Sequence, residues 1–133
     1  MSACRIDRER LGVLSPFPQV DAAPSPCSSS SSPKTHYVVV REDLPKGVLA
    51  AHVCHAAGES GPAPPGSIAV VLGVEGQSEL LRVAARLDAR HIPYVLIRED
   101  AGPYSGQVTA IGIPPTCDRA AIRKAVSSLH LVR

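Results

Sequence analysis

Reactive side chains gather first in the stretch Arg41 to Ala57. A β-branched run, Tyr37-Val38-Val39-Val40, leads into it, and Asp43 and Lys46 then flank a proline. The pattern reads as strand, turn and helix. A turn feeding a helix start offers unpaired N–H groups and a positive dipole end, where an anion can be held. Lys46 in a first helical turn is slightly disfavoured by that dipole, and this misplacement itself hints at an anion. Asp43 fits the position of an N-cap, with Pro45 in the first turn where its missing N–H costs nothing. His52 and His55, three residues apart, share one helix face, but Cys54 points elsewhere and no fourth ligand pattern follows, so no metal is expected. No glycine-rich phosphate loop, nucleophile elbow or catalytic triad is visible. Farther along, Arg82, Arg86 and Arg90 recur every four residues, as a solvated helix face or an RNA-backbone stripe would.

The elements that must carry these residues follow from hydrophobic period and breakers. Residues 36–41 read as a buried strand and 67–74 as a second strand. Between them lies a helix with Leu49, Val53, Ala56 and Ala57 inward and Gly58 at its end, followed by a Pro/Gly loop over 58–66. A second helix opens at 76–78, with Leu80, Leu81, Ala84 and Leu87 as its apolar face, and Pro93 stops it. Residues 94–98 make a third strand, 99–106 a polar loop and 107–113 a fourth strand closed by Pro114-Pro115. A last helix, capped by Thr116 or Asp118, turns Ile122, Ala125, Val126 and Leu129 inward. The order β-α-β-α-β-β-α predicts an α/β fold, a small mixed four-stranded sheet with helices on both faces.

Of the 133 residues, 1–33 are set apart as a disordered Pro/Ser-rich leader, with prolines and the Ser28–Ser32 run but no apolar period, leaving 34–133 as one domain. Net charge is only +2, so affinity for nucleic acid would have to come from local clustering. The four cysteines are scattered without a C-x-x-C pair, which reads as free thiols in a reducing, cytoplasmic setting. The leader lacks the apolar core of a secretory signal; its arginines and serines faintly suggest a transit peptide, which Asp7, Glu9 and the prolines oppose. No run reaches the roughly 18 apolar residues of a membrane span, so no membrane partner is expected.

Three patches, in order, resemble the second, archaeal and eukaryotic type of peptidyl-tRNA hydrolase, as a shortened bacterial-like member. Asp43-Leu44, Lys46-Gly47 and Ala50-Ala51-His52-Val53-Cys54-His55-Ala56 fill that family's strand, basic loop and helix frame. Asp100-Ala101-Gly102 is similar to its loop after the third strand. Thr109-Ala110-Ile111-Gly112-Ile113-Pro114-Pro115 is similar to its fourth strand. The loop after Asp43-Leu44 is two residues shorter than the family's, so the lysine that follows there is lost or replaced by Pro45; Val48 stands where the family carries a second lysine, and His52 where it carries glutamine.

The resemblance implies hydrolysis of the ester between peptide and tRNA by an activated water, without metal or organic cofactor. It implies Asp100 orienting or deprotonating that water, with Glu99 as a rival, and Lys46 neutralising negative charge. Thr109 would hydrogen-bond substrate or water. Asp43, His52, His55 and Tyr104 would line the substrate, Tyr104 by stacking on an unpaired base. Asp43 also reads as a cap, and His55 as a packed residue. The alternative is a catalytically silent RNA- or protein-binding module of the same fold. A homodimer stays open.

Overall fold

A computed structural model describes residues 32–133, and most of the leader, with Cys4 and Cys27, lies outside those residues. The chain runs β1 (Thr35–Arg41), α1 (Lys46–Glu59), β2 (Ile68–Val74), α2 (Gln77–Ala89), β3 (Val95–Arg98), β4 (Val108–Thr116), α3 (Arg119–Val126) and β5 (His130–Leu131). The fold is α/β, as the periodicity predicts, but the mixed sheet has five strands, ordered β3-β4-β1-β2-β5. Only β1 and β2 are parallel, joined through α1; β1–β4, β3–β4 and β2–β5 are antiparallel. The added β5 is two residues long, too short for any hydrophobic period to register.

Strand alternation divides the core. Tyr37, Val39, Leu72 and Val74 face α2 and α3, where Leu80, Val83, Leu87, Ile122 and Ala125 complete one cluster. Val38, Val40, Ile97 and Ala110 face α1, with Leu44 and Ala56. Leu81 is a correction: it is 43% exposed, and Val83 takes its place in the core. On α2, Leu80, Val83, Ala84 and Leu87 are spaced for one helix face. That helix ends at Ala89 rather than at Pro93, because His91 adopts a left-handed φ of 55° and the Ile92 N–H bonds back to the Leu87 carbonyl.

Two further expectations change. Asp43 does not cap α1; the N-cap is Pro45, in extended conformation and without a side-chain bond. Helix α1 also runs through Gly58 to Glu59, with Ser60 as its C-cap. At α3 the cap is as expected, the Asp118 carboxylate accepting from the Ala121 N–H. Cys54 is free and exposed, whereas Cys117 is disulfide-bonded, against the expectation of four free thiols. Among the described residues no helix is long and apolar enough to cross a membrane.

Candidate functional site

One end of the sheet collects the segments that carry most of the reactive side chains. Arg41 pairs with Val74, so β1 and β2 finish together, and Arg98 at the end of β3 lies opposite Val108 at the start of β4. The Gln77 carboxamide oxygen accepts from the Val108 N–H at 2.8 Å, bringing the start of α2 to the same end. In open α/β sheets this carboxyl end of the parallel strands is where ligands are usually held. The turn with Asp43 and Lys46 leaves from β1 here, and the loop with Asp100 and Tyr104 leaves from β3. Leu44, Val48 and Tyr104 pack into the same α1-side cluster, so turn and loop share that side of the sheet.

Beneath the rim lies a buried polar array. His52 Nε2 is 3.1 Å from Glu99 Oε2, and Nδ1 is 2.8 Å from Thr109 Oγ1. A carboxylate accepts only, so Nε2 carries the proton. The neutral ring's Nδ1, at 2.8 Å, is a nearer acceptor for the threonine hydroxyl than the Ile97 carbonyl at 3.3 Å. Burial pushes the His52 imidazole below its ordinary value, with Glu99 pulling the other way, which agrees with that neutral form. Thr109 reaches α1 because β4 is bulged. Ile97 pairs with Ala110 and Arg98 with Val108, leaving Thr109 as the extra residue. A bulge re-aims side chains, and here Thr109 and Ala110 in succession meet the α1 side.

Hydroxyl, imidazole and carboxylate in line have the arrangement of a nucleophile–base–orienter set. All three side chains are buried. Thr109 is 0%, His52 1% and Glu99 7% exposed. Thr109 and His52 are thus sealed from solvent and form the floor under that sheet end. His55 stacks edge-on against His52 with ring centroids 6.0 Å apart, and its buried Nδ1 has no hydrogen-bond partner among the described residues.

Arg41 forms the second half of the floor, and nothing in the strand pattern singled it out. Its Nε and Nη2 donate to the two oxygens of Asp43 at 2.9 and 2.6 Å, and Nη1 donates to Gln107 Oε1 at 2.7 Å. The guanidinium holds the Asp43 carboxyl below its usual range, and the carboxylate raises the arginine. Asp43 is thus a clamped, half-exposed carboxylate joined through Arg41 to the far loop. Lys46 and Asp100 are exposed, and Tyr104 is half-buried. The loop is closed by Gly106 N–H to Glu99 O, Glu99 N–H to Gln107 O, and Ser105 Oγ to Asp100 O. Among the described residues no group of three or more metal-ligating side chains occurs.

Among the described residues, two of the concavities lie away from this end. One, of about 350 Å³, is lined by Arg90, Ile92, Pro114, Pro115, Thr116 and Asp118 at the opposite sheet end. The other, of about 440 Å³, lies between β2 and α3 under Arg119 and Arg123.

No family model matches the chain, and no curated relative matches it. Among solved structures it is similar to Atu0240, a protein of unknown function from Agrobacterium tumefaciens strain C58. The identity is 17% and the TM-score 0.51, over 77% of this chain and 99% of that one. The likeness is one of fold.

Proposed function

We propose that the rim hydrolyses the ester of peptidyl-tRNA with a water nucleophile. The observation that carries the reading is the shared position of the post-β1 turn and the post-β3 loop at one sheet end, tied together by Arg41 through Asp43 and Gln107. Asp100 orients the water and takes its proton as the water oxygen bonds to the ester carbonyl carbon. Lys46 faces the negative charge that develops on the carbonyl oxygen, or a neighbouring phosphate. The carbon–oxygen bond to the ribose then breaks, and the ribose oxygen leaves with a proton. The products are a peptide carboxylate and a tRNA with a free terminal hydroxyl. Thr109, His52 and Glu99 serve as positioning residues that hold the base of the Asp100 loop.

A second reading is the silent binding module, and the sealing of Thr109 and His52 away from solvent favours it. The experiment is hydrolysis of purified peptidyl-tRNA by wild type, Asp100→Ala and Lys46→Ala. The enzymatic reading expects wild-type turnover with losses of about 100-fold or more in each variant. Equal background rates in all three proteins leave only the binding module.

A further inference from the structure

The small net charge conceals a segregation of charge. Helices α2 and α3 with their caps carry Arg82, Arg86, Arg90, Arg119, Arg123 and Lys124 against Glu79, Asp88 and Asp118. All six bases are exposed, and none forms an ion pair with any described residue. The three acids are occupied locally: Glu79 accepts from the Glu75 N–H, Asp88 from the Tyr94 hydroxyl, and Asp118 caps α3. By contrast, residues 42–59 and 98–107 hold two bases, Lys46 and Arg98, against five acids, Glu42, Asp43, Glu59, Glu99 and Asp100.

The two helices lie side by side on one face of the sheet, joined by Arg86 Nη1 to Ser128 Oγ at 3.1 Å. Arg82, Arg86 and Arg90 repeat every four residues, roughly 6 Å of helix rise per step, and Arg119 and Arg123 repeat the step on α3. The two concavities place Arg90 on one side of α3 and Arg119 and Arg123 on the other, so the bases span the face.

The geometry points to the α2–α3 face as a docking surface for the phosphate backbone of a folded RNA. Five of the six bases are arginine, whose planar fork matches phosphate oxygens in pairs. Leu81 is the one large apolar side chain exposed on the two helices, and no aromatic stands there. An inserting membrane face needs an apolar side, and a tight protein interface needs a buried aromatic or aliphatic centre. The helices carry neither; the concavity between β2 and α3 has an apolar lining of Val70, Leu72, Leu129 and Leu131, but it lies under Arg119 and Arg123. The surface is separate from the ester chemistry of the rim and stands whether or not the rim hydrolyses anything.

The probe is deacylated tRNA, which has no ester, followed by fluorescence anisotropy across a salt series. The variants are Arg82→Gln with Arg86→Gln, Arg119→Gln with Arg123→Gln, and all four together. Lys34→Gln with Arg133→Gln removes the same charge as either pair from outside the helices. Each helix pair is expected to weaken binding severalfold, and the quadruple variant at least tenfold while flattening the salt slope by about 3 to 4. Melting curves identify any variant that has not folded, and the pairs then carry the test singly. Equal losses in the control pair overturn the assignment. So does equally tight binding to polyglutamate, which points to an acidic protein, or to anionic vesicles, which points to a membrane surface.

Discussion

Thr109 shows how one buried hydroxyl can matter to the fold. Its proton satisfies Nδ1 of a ring that has no water to turn to, and the ring in turn holds Glu99. Thr109→Val keeps the shape and removes that donor, leaving a buried acceptor unpaired. The expected cost is about 1–3 kcal/mol, read as a lowered denaturant midpoint. Thr109→Ser retains the hydroxyl and should recover most of the loss; if Ser and Val are equally unstable, the hydrogen bond is not the cause. At Asp43 the sequence allowed a cap and the structure shows a clamp: Arg41, at the strand end two residues earlier, donates to both carboxylate oxygens. Arg41 itself was illegible, since a lone arginine ending a buried strand carries no sign that a carboxamide 66 positions away will meet it.

Elements were legible where their period was long. The strands and helices from β1 to α3 follow from apolar spacing, and the cap of α3 from Asp118. The antiparallel insertion of β4 between β3 and β1, the bulge at Thr109 and the two-residue β5 are pairing decisions, which local pattern does not encode. Two glycines record how tightly elements meet. A Cβ on Gly112 would overlap the Ala56 carbonyl and lie 2.7 Å from Ser60 Oγ, both on the α1 end. A Cβ on Gly73 would lie 2.6 Å from Glu42 Oε2, the tip of a movable side chain that bonds His130. Gly112→Ala must therefore push a helix off the sheet, at about 1–3 kcal/mol, whereas Gly73→Ala need only release an exposed contact. Thermal melts should place Gly112→Ala several degrees or more below Gly73→Ala, and the reverse order would mean that α1 yields more readily than one carboxylate. Asp118→Ala should cost about 1 kcal/mol through loss of the α3 cap.

At the scale of the molecule, two buried imidazoles tie folding to pH. His36 lies on the first strand, with Nε2 2.7 Å from Ser60 Oγ; the serine donates its own proton to the Ala56 carbonyl, so the ring must donate to the serine. His52 holds the floor of the rim. Burial lowers both from the ordinary 6.5, so each binds its proton less tightly folded than unfolded. The unfolded chain therefore carries more protons between the folded values and 6.5. The stability from keeping these rings neutral is full above pH 6.5 and is lost as the pH falls towards the folded values. The slope approaches about 1.4 kcal/mol per pH unit for each ring. Urea unfolding at pH 7.5 and 5.5 should show wild type losing stability, His36→Gln and His52→Gln each losing less, and the double variant little. Both single variants test the same physics on opposite sides of function, since only His52 supports the proposed rim. A wild type equally stable at both pH values would mean that neither ring is held neutral by the fold. Acceptance of the Thr109 hydroxyl at His52 Nδ1 would then lose its physical basis as well, since both nitrogens of an imidazolium donate.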